Sequence, residues 1–141
     1  MTADTVPERV VFDAEPLIAY FCDEPGSDVV EAFIDAVTGS SNGYMSMVNL
    51  AEVHYIVRDI DGEERADAVV DIIDETGIET VDVADTWRIA AGFKYRHAPA
   101  LGDAFALATA VHVEGTLLAG VDDDFDGISD VSVARFRTDP G

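Results

Sequence analysis

Four acidic residues stand where a carboxylate is out of place. Asp13 closes the apolar run RVVF and Asp122 closes TLLAGV, so both sit at strand-end positions. Glu52, in VNLAEVHYI, shares a helical stripe with Val48, Tyr55 and Ile56. Asp103 is the only formal charge between Arg96 and Glu114. Each has an ordinary reading. Strands often end at an Asp in a turn, a stripe can be half exposed, and an Asp in a first helical turn gains about 0.3–1 kcal/mol from the helix dipole. Together they describe different chemistry. Two carboxylates ~4 Å apart at an effective dielectric near 20 repel by about 4 kcal/mol. A converging cluster therefore needs a divalent cation or raised pKa values. An oxygen-only set, without Cys or ligand-spaced His, suits Mg²⁺ or Mn²⁺. The usual work of such a site is phosphoryl transfer to water.

The elements that must position these acids follow from periodicity and breakers. Arg9–Asp13 reads as a strand, and Pro16 suits the start of a short helix through Leu17–Cys22. Residues 28–37 carry a helical stripe, 39–43 a turn, and Tyr44–Ser46 a short strand. Helices follow over 48–60 and, after Asp61-Gly62, over 63–73. Residues 78–83 alternate as a strand and 85–95 form a helix broken by Ala98-Pro99. Leu101–Val113 is nearly uncharged, a buried helix; strands are expected over 116–121 and 131–136. Strands alternating with helices predict an α/β fold with a mainly parallel central sheet flanked by helices. In such sheets, sites lie at the carboxyl ends of strands, where Asp13 and Asp122 fall. The expected division is a tail over 1–8, one domain over 9–137 and a tail over 138–141.

Composition bounds the partners. The 141 residues hold 29 Asp plus Glu against 8 Lys plus Arg, a net charge of −21, yet 48% are hydrophobic. A disordered acidic tail is excluded. Binding nucleic acid through a broad basic patch is excluded as a default, and so is attraction to an anionic membrane. Lys94 is the sole lysine. An acidic, lysine-poor surface suits molar salt, where a Debye length of about 3 Å screens self-repulsion. This halophile-type reading makes most carboxylates solvation. The lone Cys22 gives no internal disulfide and reads as a small core hydrophobe. With no apolar run of membrane-spanning length and no signal-peptide pattern, a cytoplasmic protein is expected.

The motifs resemble a family. VVFDAEPLIAYF looks like the strand–Asp–helix opening of a PIN-domain ribonuclease of the VapC-like toxin type. NLAEVHY resembles its Leu-Ala-Glu-Val helix, LGDAFALATA its Asp-bearing buried helix, and TLLAGVDDDF its late strand ending in Asp before an aromatic. The resemblance implies a single-domain PIN-like fold. It implies that Asp13, Glu52, Asp103 and Asp122 form a catalytic, metal-binding quartet, with Asp124 a peripheral fifth acid. The implied reaction is Mg²⁺- or Mn²⁺-dependent hydrolysis of RNA phosphodiesters. The implied partners are RNA, a cognate VapB-like antitoxin and a second copy of the chain. A PIN-domain nuclease of RNA processing, without an antitoxin, fits the same motifs. Two positions depart from the family pattern: Glu15 stands where Ser or Thr is usual, and so does Gly120. Glu15 is expected to occupy a first helical turn rather than serve as a ligand.

Other signals carry less. Asp122-x-Asp124-x-Asp126-Gly127 mimics a calcium loop, but Val133 stands where a bidentate Glu is needed and the preceding segment is strand-like. A non-enzymatic calcium-binding module is the alternative from another class. His54, His97 and His112 lack zinc-ligand spacing. Arg88, Lys94 and Arg96 crowd three of eight cations just before the Asp103 helix. They read either as cations favoured at a helix C-terminus or as an RNA-contacting rim; Arg58 is a weaker candidate.

Overall fold

The computed structural model describes residues 6–138. Residues 1–5 and 139–141 of the expected tails lie outside the described residues. Among the described residues, pairs of α-helices follow each of the first three of five strands: β1 (Arg9–Phe12), α1 (Ala14–Phe21), α2 (Ser27–Val37), β2 (Asn42–Ser46), α3 (Met47–Asp61), α4 (Glu63–Glu75), β3 (Ile78–Val81), α5 (Val83–His97), α6 (Leu101–Val113), β4 (Thr116–Ala119) and β5 (Val133–Arg135). The strands form one sheet in the order β3-β2-β1-β4-β5, every pair parallel.

Alternation along the strands divides the core into two layers. Val10, Phe12, Met45 and Leu118 point to one side and pack with α1 to α4. Val11, Leu117 and Ala119 point to the other and pack with α5 and α6. Helix α6 is buried without a break from Gly102 to Ala110, which explains its uncharged sequence.

Local chemistry sets several boundaries away from the sequence expectation. Helix α1 starts at Ala14, not near Pro16, because Asp13 caps it: its side chain accepts from the Ala14 N–H. Strand β2 begins earlier, at Asn42, which pairs with Arg9. Strand β3 stops at Val81 because Asp82 caps α5, accepting from Ala84 at 2.8 Å. Strand β4 ends at Ala119 rather than Val121, whose N–H turns to Glu15 Oε2 at 3.3 Å. Cys22 is the C-cap of α1 and half-buried against the first core layer.

The sheet order puts the topological switch between β1 and β4. These neighbours come from opposite ends of the sequence, with Phe12 registered against Leu118. Connections leave them in opposite directions, opening a crevice at their carboxyl ends. Asp13 N–H bonds across this seam to the Leu118 carbonyl at 3.1 Å.

Candidate active site

The crevice holds a cavity of about 230 Å³ lined by Asp13, Glu15, Glu52, Asp103 and Asp122, with Ile18 and Ile56 as its apolar wall. The four acids singled out from the sequence thus come from four elements to one place. Asp13 arrives from the end of β1 and Asp122 from just beyond β4. Glu52 projects from α3 and Asp103 from the first turn of α6.

Asp122 is fixed by the turn it opens. Its Oδ1 accepts from the Asp124 N–H at 2.9 Å, starting a single 3-10 turn over Asp123–Phe125. Asp124 in turn accepts from the Ala100 N–H at 2.9 Å, capping α6 from outside the helix. Among the described residues, carboxylate oxygens of Asp103, Asp122 and Asp124 lie within 4.8 Å of one another. Asp124 is therefore packed more closely with Asp103 than a peripheral acid would be.

Glu52 is held by a residue the sequence reading missed. Asn49, fully buried one turn earlier, donates to Glu52 Oε1 at 2.7 Å and to the Gly102 carbonyl at 3.1 Å. One amide thereby ties α3 to the start of α6. Gly102 makes room: a Cβ there would fall 2.5 Å from the Glu52 carboxylate oxygens. A buried Asn three residues before an acid on the same helix face is the signal that could have found it.

The electrostatics record the crowding. Burial raises the Asp13 carboxyl from its ordinary 3.8 to about 7; the Ala14 hydrogen bond opposes this, while Glu52, Glu15 and Asp122 add to it. Asp103 is driven well above the carboxylate range, first by burial, then by sharing a proton with Asp124 and by the charge of Asp13. Asp124 moves the other way, held low by accepting from Asp103 and Ala100, with Lys94 adding its positive charge. Asp103 Oδ2 is buried and has no hydrogen-bond partner among the described residues. An orphaned carboxylate oxygen beside other acids, with only oxygen donors present, fits a hard divalent cation.

The three cations of α5 each have a local contact. Lys94 donates to the Pro99 carbonyl and lies near Asp124. The Arg96 guanidinium sits over Phe93, and Arg88 sits over the half-exposed Trp87, over a turn further back on α5. The cations knitted into the site come from β5 and the residues just after it. Arg135 donates to the carbonyls of Gly120 and Asp122 (2.7 Å to the latter) and to Asp126 Oδ1 at 2.8 Å. Arg137 donates to Glu15 Oε2 at 3.1 Å. The calcium-loop reading fails here, because Asp126 turns to Arg135 and the flanking elements are strands.

Comparison with known proteins agrees with this geometry. Residues 10–131 match the sequence profile of the PIN domain. No curated protein sequence matches. Among solved structures, VapBC2 from Rickettsia felis, bound to a DNA fragment from its promoter, is 15% identical, with a TM-score of 0.73 over 90% of this chain and 98% of that one. VapBC-1 from nontypeable Haemophilus influenzae is 13% identical, with a TM-score of 0.67 over 91% and 98%. VapC20 from Mycobacterium tuberculosis, a sarcin-ricin loop cleaving toxin, is 18% identical, with a TM-score of 0.65 over 86% and 98%. At these identities the structures speak to the fold, and the profile match over most of the chain speaks to the family. A parallel sheet whose switch point gathers acids from β1, α3, α6 and β4 is thus accounted for: the chain belongs to the PIN domain family.

Proposed function

We propose that the chain is a metal-dependent ribonuclease of the VapC type, the toxin of a toxin–antitoxin pair. The observation that carries this is the convergence of Asp13, Glu52, Asp103 and Asp122 on one cavity, with Asp103 Oδ2 buried and unpartnered among the described residues. These four residues would hold Mg²⁺ or Mn²⁺, with Asp124 beside them. When bound, the ion supplies Lewis-acid charge that activates water and offsets charge on the phosphodiester.

The chain's own residues do the rest. Asn49 and Gly102 fix the Glu52 carboxylate at the mouth of α6. The α1 cap fixes Asp13, and the 3-10 turn fixes Asp122. Ile18 and Ile56 make one wall of the cavity apolar. Lys94, Arg96 and, further off, Arg88 supply the phosphate contacts that hold RNA against an otherwise repulsive surface.

A VapB-like antitoxin is a partner this reading calls for, supported by solved VapBC complexes of the same fold; a second copy of the chain is proposed beside it on the family resemblance alone. Residues 9–137 form the nuclease unit. The remaining surface carboxylates serve solvation in concentrated salt, and the work is placed in the cytoplasm.

The test is RNA cleavage in molar KCl with Mn²⁺ or Mg²⁺, beside Asp103→Asn. Wild type cleaves, and the variant loses about a hundredfold or more, since one oxygen ligand to the ion is gone. Equal activity in the two proteins would refute the assignment.

A further inference from the structure

Glu15 and Gly120, the two departures from the family pattern, meet in space. A Cβ on Gly120 would fall 1.8 Å from Glu15 Oε2 and 2.4 Å from Oε1. The Glu15 carboxylate therefore fills the volume that any other residue at 120 would claim. Glu15 does lie in the first turn of α1, as expected, but its carboxylate is tied down. Oε2 accepts from the Val121 N–H at 3.3 Å and from Arg137 Nε at 3.1 Å. Arg137 is itself largely buried, and is anchored by the Pro25 carbonyl and Glu24 Oε1, each at 3.1 Å, and by the Phe136 ring beneath it. Both hydrogen bonds fall on Oε2; Oε1 receives none among the described residues, and the side chain lines the same cavity as Asp13 and Asp122.

An ionised carboxylate only accepts hydrogen bonds. Oε1 is therefore suited to a donor in the cavity, a water or hydroxyl, and not to a phosphate oxygen. Arg137, shared with Glu24, offsets only part of the Glu15 charge, which still bears on Asp13.

We propose that Glu15 is a positioning residue, seated by Gly120 and pinned by Arg137, whose Oε1 orients water of the hydrated cation one layer out from the ligands. The inference rests on the metal site proposed above. Groups in that layer affect metal affinity by roughly 10–100-fold.

Gly120 offers a clean perturbation. Its φ lies outside the left-handed region, so Ala is tolerated by the backbone, and the clash falls on the end of a flexible side chain. Mn²⁺ binding is measured by calorimetry on the full chain for wild type, Gly120→Ala, Glu15→Ser, Glu15→Gln, the Gly120→Ala/Glu15→Ser double variant and Asp103→Asn. Thermal unfolding with chelator checks the fold of each.

Gly120→Ala and Glu15→Ser should each weaken Mn²⁺ binding by roughly tenfold or more, with Glu15→Gln, which keeps an acceptor oxygen, in between. The double variant should be no weaker than either single one, because the methyl added in Gly120→Ala acts only by expelling Glu15. Additive losses, or Glu15 variants that bind as wild type while Asp103→Asn does not, overturn this inference and leave the metal site standing. Failure of wild type itself to bind Mn²⁺ overturns both.

Discussion

Asp13→Asn should stabilise the metal-free protein, and do so more as pH rises. The native carboxyl keeps its proton to about pH 7, whereas an Asp in the unfolded chain releases it near 3.8. Between those values the native state binds more protons, so wild-type stability falls as pH increases. At about 1.4 kcal/mol per pH unit over roughly three units, the buried charge costs up to about 4 kcal/mol by pH 8.

Asn removes that cost and keeps the side-chain oxygen that accepts from Ala14, because Asn and Asp cap helices about equally well. In chelator, the variant's advantage in urea unfolding should grow by about 2–3 kcal/mol between pH 5 and pH 8. At pH 8 its melting point should be higher by roughly 5–12 °C. Added Mn²⁺ should then narrow or reverse the order. A ligand at 100 times its Kd stabilises by about 2.7 kcal/mol, and the variant has lost one of the oxygens that bind it. An advantage that is the same at pH 5 and pH 8 would refute the claim of a buried, charge-crowded carboxyl. Equal stabilisation of both proteins by Mn²⁺ would refute a ligand role for Asp13.

Gly102→Ala should separate stability from activity: the methyl raises helix propensity by up to about 1 kcal/mol but displaces Glu52, so the melting point holds or rises while RNA cleavage falls at least about tenfold. Asn49→Ala removes one hydrogen bond within α3, to Glu52, and one from α3 to α6, leaving the Gly102 carbonyl without this donor; a loss of about 1–3 kcal/mol in urea unfolding is expected, with reduced cleavage alongside. Arg135→Met frees the carbonyls of Gly120 and Asp122; amide hydrogen exchange should quicken over residues 120–126 and stay as in wild type in α2.

The sequence showed the acidic cluster better than it showed what holds the cluster in place. Asp13, Glu52, Asp103 and Asp122 were legible because each interrupts an apolar pattern, and burial of such groups demands an explanation. Strand and helix order was legible from periodicity, although several ends moved where a side chain or a distant carboxylate took up a backbone N–H, as at Asp13 and Val121. The supports were hidden for physical reasons. Glu15 and Arg137 pair across 122 positions, and nothing local marks either one in a chain full of surface acids. Gly102 and Gly120 look like ordinary breakers, yet each is small because a carboxylate from another element occupies its side-chain space. Local crowding of positive charge drew attention to Arg88, Lys94 and Arg96, whereas the arginines bonded into the site, Arg135 and Arg137, stand apart from them in sequence.

The seam between β1 and β4 has a consequence during synthesis. Asp13 is made early, but its neighbour Asp122 and the pinning Arg137 come more than a hundred residues later. At translation rates of about 5–20 residues per second, Glu15 waits roughly 6–25 s for its partner. Until β4 and β5 leave the ribosome, β1 lacks the neighbour that completes its sheet, and the four acids have no common cavity. For the nuclease proposed above, this topology postpones assembly of the acidic cluster until β4 and β5 have been made.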